Sequence, residues 1–90
     1  MAWVYILYSP LIDKFYVGAT NDIDDRLLRH NQGRSKATKA GRPWLLKYVE
    51  QYATKALACK RETEIKKMKS REYIEMLINS SHKESESQEV

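Results

Sequence analysis

Tyr5, Tyr16, Arg26, His30 and a glutamate on a later helix, either Glu62 or Glu64, are the residues here whose types and spacing could do chemistry together. Such a set suits phosphodiester hydrolysis better than other common reactions. A carboxylate can hold one Mg²⁺ or Mn²⁺ ion against a phosphate oxygen, an arginine can neutralise charge developing on phosphorus, and a phenol can relay a proton to or from water. An ordinary tyrosine pKa of about 10 is too high for an efficient base at neutral pH, so this use of a phenol needs a nearby cation to lower it. Other constellations are missing from the sequence: there is no Gly-rich phosphate loop, no nucleophile set with supporting spacing, and no histidine pair at zinc-ligand spacing.

The elements that must position these residues can be read from pattern. Val4 to Gly18 reads as two short strands, rich in aromatic and branched residues, joined by a Ser-Pro and Asp-Lys turn. Ten residues lie between Tyr5 and Tyr16, an even number that lets them sit opposite each other, with both side chains on one face of the hairpin. Two phenols there could form a site or simply a packed cross-strand pair. Thr20, Asn21 and Asp22 are cap-type residues, and Asp22, Asp24 and Asp25 suit the first turn of a helix reaching about His30 or Asn31. These aspartates are explained as helix starters rather than metal ligands.

On that helix Ile23 and Leu27 mark a core face, and Arg26 and His30 fall on or beside it. An arginine on an inward stripe must find a partner or a ligand, unless it snorkels to the rim; the pattern leaves both open. Asn31 to Pro43 is a polar, basic loop, and Trp44 to Tyr52 reads as a third strand central to the core, with Trp44 an anchor rather than a base-stacking platform. Thr54 can cap a helix to about Met68 with Leu57, Arg61, Ile65 and Met68 as its stripe, widened by Ala58. Glu62 and Glu64 border opposite edges of that stripe, and periodicity cannot choose between them. Ser70 caps a last helix with Tyr73, Ile74, Leu77 and Ile78 inward.

The expected fold is therefore α/β, a small sandwich with a three-stranded, mainly antiparallel sheet flanked by helices in the order β-β-α-β-α-α. Ninety residues suffice for one modest core, taken as a domain over 1–78, and Asn79 to Val90 lacks an apolar period and reads as a disordered tail. The N-terminal apolar run has no basic leader and is far shorter than a membrane span, and the single cysteine, Cys59, allows no internal disulfide. A cytoplasmic location, with no membrane partner, is the expectation. Net charge is +4, but from Arg26 to Lys47 there are seven Lys or Arg and no Asp or Glu. Such a stretch, with Arg34, Lys36, Lys39 and Arg42 in its loop, can follow a polyanion backbone or be merely a solvated basic loop.

Four ordered blocks carry a resemblance: Val4-Tyr5-Ile6 with Tyr16-Val17-Gly18, then Asp25-Arg26-Leu27 with His30-Asn31, then Arg42-Pro43-Trp44, then Ala58 with Arg61-Glu62 and Ile65-Lys66-Lys67. Together they resemble the GIY-YIG endonuclease superfamily, and most of all its small stand-alone bacterial proteins, from residue 3 to about 78. The resemblance implies a divalent-metal-dependent endonuclease acting on DNA more than RNA, in repair or recombination. It implies that Tyr5 and Tyr16 line the site with Tyr5 as general base, that Arg26 contacts the scissile phosphate, and that His30 polarises the site. It also picks Glu62, rather than Glu64, as ligand of a single Mg²⁺ or Mn²⁺, and gives Gly18 the role of a motif glycine at a strand end, where backbone approaches closely.

Two positions depart from the family pattern: Val4 stands where the name motif has its first glycine, and Ala37 where many relatives have an aromatic residue. The absence of an appended targeting domain implies weak binding, cleavage of structures rather than sequences, or dimerisation, with a protein partner or homodimer left open. The alternative reading is a nucleic-acid binding module with little or no turnover.

Overall fold

The computed structural model describes the backbone of residues 1–89 and the side chains of residues 1–80. Its elements follow in the order β1 (Ala2–Ser9), β2 (Lys14–Thr20), α1 (Ile23–Asn31), a 3-10 turn (Lys39–Gly41), β3 (Leu45–Tyr52), α2 (Lys55–Lys67) and α3 (Arg71–Glu89). This is the α/β arrangement, β-β-α-β-α-α, that the pattern predicts. Helical backbone continues to Glu89 where the sequence suggests a tail from Asn79; the side chains of 81–90 lie outside the described residues.

The sheet order is β2-β1-β3, with both pairings antiparallel. The middle strand is thus β1, and β3, expected to be central to the core, is instead an edge strand exposed along most of its length. The reason is compositional. Trp3, Tyr5 and Leu7 point to one face of β1 and Val4 and Ile6 to the other, so both faces are apolar, as a strand covered on two sides requires. In β3, Lys47, Glu50 and Gln51 interrupt the apolar residues, which suits an edge.

Two cores lie on the two faces of the sheet. Ala2, Val4, Ile6, Val17 and Ala19 pack with Ala58 and Ile65 of α2, and Tyr73, Ile74, Leu77 and Ile78 of α3 close over them. Tyr5, Leu7 and Trp44 form the second, with Tyr16, Ile23 and Leu27 at its border, so α1 covers this face. A fully buried Ile or Leu is worth about 1.5–3 kcal/mol, which makes the first core the main source of stability. On α2 the inward line runs through Ala58 and Ile65; Leu57 and Met68 are 48% and 53% exposed, which corrects their place on the core stripe. Leu57 and Ala58 are one step apart on the helix, and the sheet takes the smaller side chain, which permits close approach.

Local signals set the helix ends. The Asp22 carboxylate accepts from the Asp25 backbone N–H at 3.0 Å, Thr54 Oγ1 from Leu57 at 3.2 Å, and Ser70 Oγ from Tyr73 at 3.1 Å. At the end of α1, Gly33 adopts φ of +76°, the Arg34 N–H donates to the Arg29 carbonyl, and the Gly33 N–H donates to that of His30. This glycine-closed motif turns the basic loop back across the second core. Among the described residues, no helix is long and apolar enough to cross a membrane.

Candidate active site

Tyr5 stands in the middle of the central strand, and its ring lies flat over Gly18, its register partner on β2. A Cβ at position 18 would come within 2.5 Å of Tyr5 Cζ, so only glycine admits the ring there. The close approach expected at this glycine is thus made by the tyrosine ring. Tyr16 pairs with Leu7, one step along the same face, so the two tyrosines are diagonal neighbours rather than opposite each other, with centroids 6.4 Å apart.

Helix α1 brings His30 and Arg26 to this face. His30 is 2% exposed; its Nε2 lies 3.1 Å from Tyr5 Oη and its Nδ1 lies 2.6 Å from Thr38 Oγ1. The Tyr16 ring meets the imidazole edge to face at 5.0 Å, and Trp44 stands beyond Tyr16 at 6.3 Å. Trp44 also locks the loop, as its Nε1–H donates to the Thr38 carbonyl at 2.6 Å while Asn31 holds its backbone N–H and C=O. Arg26 is half-buried, and its Nε has no hydrogen-bond partner among the described residues. Buried polar atoms are nearly always paired, so an orphaned guanidinium nitrogen marks a place prepared for something else.

Electrostatics follow from this burial. Desolvation and the neighbouring Tyr16 push the Tyr5 phenol up to about 12, against the pull of Arg26. At neutral pH this phenol holds its proton. Burial, with Arg26 in support, lowers the His30 pKa, so the imidazole is biased to its neutral form.

Tyr16, Arg26, Arg29, His30, Arg34 and Ser35 line a cavity of about 400 Å³. Three arginines and, among the described residues, no carboxylate line it, although Arg29 is held by Asp25 at 3.0 Å; the lining is positively charged. Glu62 of α2 does not line this cavity but is near enough for its charge to help raise the Tyr5 pKa, and it pairs at 2.5 Å with Lys66, whose Nζ stands 6.0 Å from the Tyr16 ring centre. Glu64 turns the other way, 55% exposed, to Arg61. Of the two glutamates that periodicity left open, Glu62 is thus the one on the tyrosine side of α2.

Tyr5, Tyr16, Arg26, His30 and Arg34 are thus drawn together, with Glu62 beside them. Lys36, Lys39 and Arg42 are not; with Leu11, Asn31, Ala40 and Pro43 they line a neighbouring cavity of about 800 Å³. Sequence reasoning missed Arg29 and Ser35 as lining residues and Thr38 as the partner of His30. Arg29 follows from the helical period, three residues after Arg26, but a loop residue such as Thr38 carries no periodic signal.

A family model described as the GIY-YIG catalytic domain matches residues 1–75. The chain belongs to the GIY-YIG family. This is a nuclease-type family, and the matched segment contains Tyr5, Tyr16, Arg26, His30 and Glu62. The chain is also similar to curated UPF0213 proteins of staphylococci. It is 41% identical over 63 residues to one from Staphylococcus epidermidis, spanning 69% of this chain and 77% of that protein. With one from Staphylococcus haemolyticus it shares 35% over 76 residues, 83% of this chain and 92% of the relative. A Staphylococcus saprophyticus protein is 48% identical over a shorter 52 residues, 57% of this chain and 63% of its own. No solved structure matches the chain.

Proposed function

We propose that this GIY-YIG domain is an endonuclease that hydrolyses phosphodiester bonds of DNA, and that the phosphate enters the cavity bordered by Tyr16, Arg26 and His30. The observation that carries the proposal is Arg26, whose partly buried guanidinium keeps an unpartnered Nε beside two phenols and a buried imidazole. A phosphate oxygen would supply the missing acceptor, and the cation would be most effective as charge grows on phosphorus. Arg34 would add to the attraction at the cavity wall, and Arg29, paired with Asp25 at 3.0 Å, would add less.

A divalent cation fits this site through one carboxylate. Mg²⁺ and Mn²⁺ accept one or two protein carboxylates and complete their shells with water and substrate oxygens, so Glu62 suffices as the protein ligand. Among the described residues there is no group of three or more His, Cys, Asp and Glu that would make an all-protein cage. Lys66, half-exposed and now paired with Glu62, is free to swing aside. When bound, the ion would polarise the phosphate and stabilise the leaving oxygen. The chain's own groups do the rest. Arg26 holds the phosphate in register, Tyr16 and Trp44 wall the cavity, and Tyr5 passes a proton to or from water. With its pKa near 12 the Tyr5 phenol is a proton donor at rest; it becomes a base when positive charge arrives beside it.

The test is cleavage of branched, nicked and single-stranded DNA in Mg²⁺ or Mn²⁺, comparing the native chain with Glu62→Ala. Product from the native chain alone is expected, and a role in repair or recombination would show as preference for the branched or nicked forms. Cleavage that survives loss of Glu62 would sink the assignment. A second reading, a binding module without turnover, is favoured by the separate cavity lined by Lys36, Lys39 and Arg42. It requires salt-steep DNA binding with no product in either metal.

A further inference from the structure

We propose that Lys66 is a place-holding cation on Glu62, which it surrenders to a divalent ion, and that its released ammonium then contacts the substrate phosphate. The inference rests on the reading of Glu62 as the metal ligand. Lys66 Nζ lies 2.5 Å from Glu62 Oε2 and 6.0 Å from the ring centre of Tyr16, which lines the arginine-bearing cavity. The ammonium is thus within reach of both the carboxylate and the cavity wall. The pair is spaced i,i+4 on α2 with the glutamate first, the favoured order on a helix. The Glu62 side chain is 22% exposed against 52% for Lys66. A carboxylate sheltered to that degree needs a counter-charge, and among the described residues Lys66 is its one ion-pair partner. Arg61, the residue before it, is engaged by Glu50 and Glu64 instead.

One small carboxylate does not serve both charges well. Mg²⁺ takes its oxygen ligands at about 2.0–2.1 Å, so an ammonium 2.5 Å from Oε2 stands in the space the ion needs. Use of the other oxygen alone would still set a dication and an ammonium side by side, and their repulsion is strong in a half-sheltered setting. Glu62 therefore exchanges one cation for the other, and each weakens the other's hold on it. Lys66 has somewhere to go. Its stem is flexible, its side chain is half-exposed, and the neighbouring Tyr16 borders the space where the proposed function puts the phosphate. The ammonium is withheld from the cavity while it holds Glu62, so the full positive charge for a phosphate is assembled only in the metal-loaded chain.

Binding of Mn²⁺ alone, read without DNA from the loss of its free-ion electron paramagnetic resonance signal, tests the exchange. Lys66→Gln is expected to bind Mn²⁺ about tenfold tighter than the native chain, and Lys66→Arg, which keeps the charge, to bind as the native chain does. Lys67→Gln removes the same charge one residue on and is expected to leave the affinity native. Glu62→Gln is expected to lose the site. No Mn²⁺ site, or one that survives Glu62→Gln, would remove the metal reading and this inference with it. A site that needs Glu62 but is equally tight with and without the Lys66 ammonium would overturn the place-holding role alone. Equal tightening in Lys66→Gln and Lys67→Gln would overturn it too, since the effect would then be one of general charge. In cleavage at saturating Mn²⁺, Lys66→Gln is expected to raise KM for DNA and reduce its salt slope by about one, as the loss of one phosphate contact requires. A native salt slope would overturn that contact.

Discussion

Arg26 and Arg61 are both helical arginines turned toward the sheet, and their surroundings are opposite. The Arg61 guanidinium is answered completely. Its Nε and Nη2 donate to the two oxygens of Glu50 at 2.9 and 3.2 Å, and the Tyr48 and Tyr52 hydroxyls donate to the same carboxylate. Burial works to raise the Glu50 pKa, but Arg61 and the two tyrosines outweigh it and hold the carboxylate below its ordinary value. Arg26, on the other face, acts on a phenol and an imidazole, and among the described residues no carboxylate pairs with it. A satisfied half-buried charge clamps β3 to α2; the one with an unpartnered Nε is, in the proposed function, where an anionic ligand docks.

The contrast can be broken most sharply by removing each guanidinium. Arg26→Ala is expected to lower kcat by about 10²–10³, the cost of losing one group that stabilises transition-state charge, while its melting temperature stays native or rises. Steady-state cleavage beside thermal melting checks both halves. Arg61→Ala is expected to destabilise by about 3 kcal/mol, the lower end for a broken buried pair because Tyr48 and Tyr52 remain on Glu50. Urea melts read this, and DNA affinity at a temperature where the variant is folded should be native. An Arg26 variant that melts early, or an Arg61 variant that is stable and inactive, would reverse the two roles.

Gly18→Ala tests how tightly the Tyr5 side of the site is built. The added methyl meets the Tyr5 ring, so about 1–3 kcal/mol of destabilisation is expected, with a perturbed tyrosine signal in near-ultraviolet circular dichroism.

The two regions should also separate in pH. His30 has a folded pKa below its ordinary 6.5, so the unfolded chain binds more protons as pH falls through that range. Its contribution is complete above about 6.5 and declines below it; His30→Gln should remove that part of the slope in pH-dependent urea melts. Glu50 likewise has a folded pKa below its ordinary 4.5, so its stabilisation holds above that value and fades in stronger acid. Glu50→Gln should flatten only this lower window. The smallest effect is expected in the outer cavity, where Lys36→Gln, Lys39→Gln and Arg42→Gln should each reduce the salt slope of DNA binding by about one.

Much of this was legible from residue types and local rules. Asp22, Thr54 and Ser70 announced three helix starts because capping is a contact within one turn, and the hairpin put Tyr5 and Tyr16 on one face because strand period is two. The four motif blocks named the family. Pairing across the chain was not legible in the same way. Nothing in the local pattern distinguishes Arg26 from Arg61, since each lies on an inward stripe; only the arrival of Glu50 from β3 separates them. The same holds for β1 as the central strand, for which of Glu62 and Glu64 lies on the tyrosine side, and for Thr38 beside His30. Local order fixes what each segment is and which way its side chains can point, because its energies are spent between near neighbours in sequence. Which charges are answered and which are left waiting depends on contacts between segments dozens of residues apart, and these exist only once the sheet has closed.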